Sequence, residues 1–209
     1  MDARAESEAE AEAAAPNLGL RERNKRRAML QIQDAALDLF DRDGFTEVTV
    51  EQIAAADGVS PSTVYRYFGA NDRIILHDED DRVMVETLVA AAASGASLIE
   101  AARRALAVMR PRLGADNQSL RRRFRYMFDE PAVAAAMARE SQATAEQLAA
   151  ALCRVRGRPP GDPEIALGAA CLMAAVLLAG QMWRRGEFAA DLGQLLQRFF
   201  DQLESGIAA

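Results

Sequence analysis

Residues 49–68, TVEQIAAADGVSPSTVYRYF, carry two complete sets of helix-start signals separated by one glycine. Thr49 is a good N-cap, and Gln52 three residues on completes a capping box. Val48 and Ile53 stand where a hydrophobic staple closes over that cap, and Val50, Ile53 and Ala54 recur at helical spacing. Gly58 is a natural left-handed stop. The chain then restarts at once. Ser60 can cap, Pro61 suits the first helical position, and Val59 can staple to Val64. Only a short turn fits between the two helices. In the second, Val64 and Phe68 bury together, leaving Ser62, Thr63, Arg66 and Tyr67 for other surfaces. This is the build of a helix-turn-helix whose second helix enters the DNA major groove. Short hydroxyl side chains at its start suit close approach to phosphates and base edges, and Arg66 has the fork for guanine. The plainer reading is two capped helices in any α-helical protein.

The rest of the chain sets limits. Its 209 residues suit one domain or two small ones, and half of them are hydrophobic, enough for a real core. Alanine is abundant and strictly alternating Val/Ile/Thr runs are absent, so the fold class is all-α. The net charge of −6 by itself argues against a nucleic-acid binder. Its distribution reverses that argument. Residues 2–12 hold five acids against Arg4, whereas residues 21–27, RERNKRR, hold five bases against Glu22. Screening acts over about 8 Å at physiological salt, so local charge outweighs the total. This basic stretch reads as an arm before the first helix, either a solvated lead-in or a set of phosphate or minor-groove contacts from Arg23, Lys25, Arg26 and Arg27.

Cys153 and Cys171 lie in apolar helical patterns and read as reduced core thiols of a cytoplasmic protein rather than a disulfide framework. The acidic N-terminus has no apolar core of a signal peptide. Residues 165–183, IALGAACLMAAVLLAGQMW, approach membrane-spanning length without a charge. Their many small residues favour a helix buried on several sides instead, and no membrane partner is expected.

Punctuation divides the remainder. Residues 1–19 read as a disordered acidic tail. A first helix spans about Arg23 to Arg42, ended by Gly44. A fourth, opened by Asn71-Asp72, carries Ile74, Ile75, Val83, Val85 and Leu88 unbroken to about Ala93. Ser97 caps the next, and Ser119 caps LRRRFRYMF. Pro131 opens a long helix to about Val155. Another runs from near Pro163 to Gly186, and residues 190–204 form the last. Arg121, Arg122, Arg123 and Arg125 are expected to be solvated or paired with the acids at 129–130, and Asp78 to Asp81 to form a solvated run.

In order, Ala35 to Phe40, Asp43-Gly44-Phe45, Thr49 to Ala54, Gly58-Val59-Ser60 and Thr63 to Phe68 resemble the TetR family of transcriptional regulators, over about residues 23–80. More loosely, the C-terminal part resembles regulators found near mycofactocin genes. The resemblance implies a helix-turn-helix DNA-binding domain over 20–70 and an effector-binding and dimerisation domain over 71–209. It implies a homodimer on palindromic operator DNA, usually a repressor released by a small molecule. It assigns phosphate contacts to Thr49, Tyr65 and Tyr67, and base contacts to the Ser60–Thr63 edge and Arg66. One position departs from the family. Asn71 stands where a lysine usually meets the DNA backbone, and Arg73 or the basic arm is left to compensate. An activator or ligand-independent regulator fits the same motifs. A carrier or enzyme with an incidental helix-turn-helix belongs to a different class.

Met109, Phe124, Met127, Phe128, Met173 and Trp183 are candidates to line an adaptable pocket for a hydrophobic or amphipathic effector, or are plain core. Small residues on the penultimate helix, with Leu192, Leu195, Leu196, Phe199 and Leu203 on the last, suit a four-helix dimer interface about a two-fold axis. The stripe on the last helix could instead close the monomer's own core. His77 is the sole histidine, and no metal cluster, cofactor cradle or catalytic set assembles around it. No enzymatic activity is expected.

Overall fold

The computed structural model describes residues 19–78, 81–113 and 117–206. The expected acidic tail, Gly19 apart, lies outside them, as do Glu79 and Asp80. Every regular element among the described residues is helical. These are α1 (Leu20–Asp43), α2 (Val50–Asp57), α3 (Pro61–Tyr67), α4 (Asn71–Leu76) and α5 (Asp81–Ala93). Then follow α6 (Leu98–Met109) with a 3-10 turn at Arg110–Arg112, α7 (Gln118–Asp129), α8 (Pro131–Arg156), α9 (Pro163–Arg185) and α10 (Leu192–Ser205).

The first four helices share one core. Ile32, Ala36, Leu37 and Phe40 of α1 meet Ile53 and Ala54 of α2, Val64 of α3, and Ile74 and Ile75 of α4. Met127 of α7 and Val133 and Ala136 of α8 join the same cluster, so the body reaches into the head. A second core, among α5 to α10, is built from Leu88, Ala101, Leu106, Leu148, Leu152, Leu172, Trp183, Leu196 and Phe200.

Most helix ends follow the expected chemistry, with two shifts. Asn117, not Ser119, caps α7 by accepting from the Leu120 amide at 2.9 Å. The sequence RERNKRR is no separate arm, because α1 already begins at Leu20. Arg, Lys and Glu are good helix formers, and nothing in the stretch breaks the helix.

The largest departure is the expected fourth helix, which is two. His77 adopts φ −59° and ψ 120°, and α4 stops at Leu76. The last four carbonyls of a helix have no partner within it. Here two side chains from other helices take them. Gln33 of α1 donates through Nε2 to the Ile74 and His77 oxygens at 2.6 and 2.9 Å. Arg123 of α7 donates through Nε to the Ile75 oxygen at 2.9 Å and through Nη2 to that of Leu76 at 3.4 Å. Continuing the helix would need these same oxygens for the amides of residues 78–81. His77, half-buried against the Phe68 ring at 5.5 Å, is held below its ordinary pKa, first by burial and then by Arg123.

The arginines of α7 also differ from expectation. Arg123 is buried and pairs with Asp78 at 3.1 Å. Arg122 bridges Asp38 and Asp41 of α1 at 2.8 and 2.7 Å. Asp129 instead holds Arg184. Arg123 falls on the inward stripe Leu120–Arg123–Met127, so packing decides its fate. The run at 78–81 is accordingly more than a solvated face, since Asp78 is part of this joint.

Helix α9 is long and apolar enough to cross a membrane by length and composition alone. It is buried on one side rather than several. Ala169, Leu172, Ala175, Ala179 and Trp183 face inward, while Leu167, Leu178 and Met182 are 66%, 48% and 46% exposed.

Gln33→Leu strands the Ile74 and His77 carbonyls in a mostly dry environment. It should lower the unfolding free energy by about 2 kcal/mol, within the usual cost of unsatisfied buried acceptors. Urea denaturation followed by circular dichroism measures this.

Candidate nucleic-acid interface

The helix-turn-helix forms as its capping signals dictate. The Thr49 hydroxyl accepts from the Gln52 amide at 3.3 Å, and the Gln52 side chain accepts from the Thr49 amide at 2.8 Å. Gly58 is left-handed at φ 71°, and its amide closes α2 onto the Ala54 and Ala55 carbonyls. A side chain there would be strained, which explains the glycine. The Ser60 hydroxyl then accepts from the Thr63 amide at 3.3 Å with Pro61 in the first turn. Val64 and Phe68 anchor α3 in the core and fix which face remains outside.

That outer face is polar and ordered by internal bonds. The Ser60 hydroxyl shares hydrogen bonds with those of Ser62 and Thr63 at 2.8 and 2.9 Å. Ser60, Ser62, Tyr65 and Arg66 are exposed, and Thr63 and Tyr67 half-exposed. The Arg66 guanidinium rests 5.0 Å from the centre of the Tyr67 ring, a contact that limits its rotamers. The Tyr65 hydroxyl donates to Glu51 at 3.1 Å, and that bond raises the tyrosine's pKa. Thr49 and Tyr65 line a groove of about 500 Å³ together with Gly69, Ala70 and Asn71. Of the basic group on α1, Arg23, Lys25 and Arg27 are exposed and Arg26 half-exposed.

Asn71 is turned inward. Its Nδ2 donates to the Val48 carbonyl at 2.6 Å, and its Oδ1 is buried without a protein partner. It is the first residue of α4 rather than its cap, which is Ala70. It ties α4 to the strand of chain just before Thr49, a different task from meeting phosphate. Arg73, one expected substitute for the lysine, pairs with Glu140 of α8 at 3.3 Å. Sequence reasoning passed over the bond of Glu51 and the inward turn of Gln33, and it assigned Arg123 to solvent or to the acids at 129–130. For the last two a signal existed: each is a polar residue at a position that helical spacing places among buried apolar ones.

The six pocket candidates do not gather at one place. Phe124, Phe128 and Trp183 do: the Phe124 ring lies 5.9 Å from Phe128 and 5.1 Å from Trp183. Gly180 of α9 lets these rings lie against the helix, since a Cβ there would come within 2.7 Å of Phe124. Met127 belongs to the head-side core instead. Met109 is buried at the end of α6, and Met173 is half-buried on α9. A second groove, of about 440 Å³, is lined by none of the six but by Leu98, Leu152, Arg156, Arg158, Glu164 and Ile165. Beyond Trp183, Glu187 and Phe188 take positive φ of 52° and 63°, unusual for such residues, and Phe188 packs 4.7 Å from the indole.

Of the two helices expected to pair with a second copy, α10 turns its stripe inward. Leu192, Leu195 and Leu196 are buried in the chain's own core together with Phe200, while Phe199 and Leu203 of the expected stripe are half-buried. The exposed apolar face is that of α9.

Comparison with known proteins agrees for both parts of the chain. Residues 32–76 match the model described as bacterial regulatory proteins, tetR family, and residues 96–208 match that of the MftR C-terminal domain. TcmR of Streptomyces glaucescens is 40% identical over 73 residues, 34% of this chain and 32% of that protein. The chain thus spans about a third of TcmR. MftR of Mycobacterium tuberculosis, named for regulation of mycofactocin biosynthesis, is 27% identical over 84% of this chain and 89% of its own. The fold is shared with Thermus thermophilus FadR, a repressor solved with lauroyl-CoA, at a TM-score of 0.54 and 24% identity, covering 87% of this chain and 95% of that one.

Ser60→Ala removes the cap of α3. It should cost about 1 kcal/mol of stability, the usual loss for an N-cap serine. A thermal melt of the full chain reads this directly.

Proposed function

Because the chain belongs to the TetR family of DNA-binding transcriptional regulators, with a C-terminal part of the MftR type, we propose that it is a repressor that binds palindromic operator DNA as a homodimer and releases it when a small molecule binds. The observation that carries this reading is α3: anchored from beneath by Val64 and Phe68, it holds Ser60, Ser62, Thr63 and Arg66 on its open face. In the proposed complex those residues meet base edges, Thr49, Tyr65 and Tyr67 meet phosphates, and Arg23, Lys25, Arg26 and Arg27 extend the backbone contact. Residues 20–76, six more than the sequence suggests because α4 shares the head's core, serve as the reading head and 77–209 as the effector and dimerisation body, in a protein of the cytoplasm.

The dimer forms through α9, with α10 buttressing it from within. Leu167, Leu178 and Met182 give this helix an exposed apolar face that a second copy covers about a two-fold axis. The effector is apolar or amphipathic and enters at the Phe124, Phe128 and Trp183 cluster, where α7 packs on α9 beside the Arg184–Asp129 ion pair. Such a molecule shifts the protein off DNA only through unequal affinity for the two arrangements.

Selection from randomised duplexes should enrich a palindrome with half-sites about one DNA turn apart, ~34–36 Å. No enriched sequence would count against the whole reading. Arg66→Ala should weaken the selected site by about 1–3 kcal/mol and relax preference at one base pair in each half-site. Leu178→Asp should sediment as a monomer at micromolar concentration; an unchanged dimer would move the interface away from α9.

A further inference from the structure

Helix α7 has three faces, set by the roughly 100° step of an α-helix. One grips α1: Arg122 bridges Asp38 and Asp41, and the Tyr126 hydroxyl donates to Asp41 at 2.7 Å. A second lies on α9, where Phe124 and Phe128 pack over Gly180. Between them, Arg123 reaches the end of α4 and binds the Ile75 and Leu76 carbonyls and the Asp78 carboxylate. Asp78 lies in the break between α4 and α5. Helix α4 is part of the head, through its core residues and through Gln33. Hence two polar grips on α7 hold the head, beside the packing of Val133 and Ala136 of α8 and the Arg73–Glu140 pair, and α7 is seated on the helix that carries the exposed apolar face.

We propose that Arg123 is the positioning residue that sets the angle of the head at the α4–α5 break, and through it the half-site spacing that the dimer accepts. This rests on the dimeric regulator reading above and adds the element that measures distance. Arg122 makes shorter bonds, but its partners Asp38 and Asp41 are 74% and 36% exposed, and ion pairs open to water hold little. Arg123 is buried, and its bonds to carbonyl oxygens are charge-assisted. It also touches the break itself. Methionine there fills similar volume but donates nothing; lysine keeps one charged donor group and loses the fork.

The test uses the full chain and the palindrome it selects, with the central spacer lengthened and shortened by single base pairs. Wild type should lose about tenfold in affinity for each altered spacer, the size of one unfavourable base-pair change. Arg123→Met should bind all spacers within about threefold of one another, with affinity for a single half-site kept, and Arg123→Lys should fall between. A folded Arg123→Met with the wild-type spacer preference overturns the proposal. So does parallel loss of half-site and full-site binding, which would make Arg123 merely a fold-holding residue. Should circular dichroism show Arg123→Met unfolded, Asp78→Ala carries the test. It keeps both carbonyl bonds and frees the anchor in the break. A flattened spacer profile supports the proposal, and an unchanged one rejects it. A wild type that selects no palindrome sinks the regulator reading itself, an outcome distinct from all of these.

Discussion

Four consecutive carbonyl oxygens, those of residues 74–77, decide how this molecule is assembled. They are the end of a six-residue helix too short to stand alone. Leaving them unpaired in the interior would cost more than most single contacts supply. Gln33 comes from α1 and Arg123 from α7, so satisfying these oxygens joins three helices far apart in sequence. The head cannot pack without presenting this helix end, and α7 cannot dock without covering it. A buried guanidinium is costly to desolvate, and here the carbonyls and Asp78 offset that cost.

The same joint explains how an acidic chain keeps a basic reading surface. Acids on the flank of α1 are absorbed by α7: Asp38 and Asp41 face Arg122, with Arg125 4.0 Å from Asp41. Arginines that look like a surface cluster in the sequence are thus drawn inward as counter-charges. What remains outward around α3 and the start of α1 is mainly hydroxyl and cationic. Glu22 and Glu51 are exceptions, and Glu51 is engaged by Tyr65.

Legibility in the sequence tracked the range of the interactions. Thr49, Gln52, Gly58 and Ser60 act within four residues of themselves, and each formed the cap or turn that its local chemistry implies. The α4–α5 break was hidden, because Ile74 to Asp81 contains no glycine or proline and its donors lie 41 to 48 residues away. Arg123 looked like its neighbours until the inward stripe of α7 was known. The stripe on α10 was visible, but whether a core or a partner covers it depends on what α6 and α9 leave open. Methionines and aromatic rings marked an apolar interior without saying which of them meet, and only Phe124, Phe128 and Trp183 did.

Asn71 carries a last consequence. Its amide is spent on the Val48 carbonyl, which stiffens the joint between α2 and α4 but brings no positive charge to the polyanion. Each phosphate neutralised by a cation frees about 0.9 of a condensed counterion. The proposed dimer, with this neutral residue in both subunits, would therefore liberate fewer small ions on binding than one built with lysine. Its grip on DNA draws less on their mixing entropy, and so is less sensitive to the ionic strength of its surroundings.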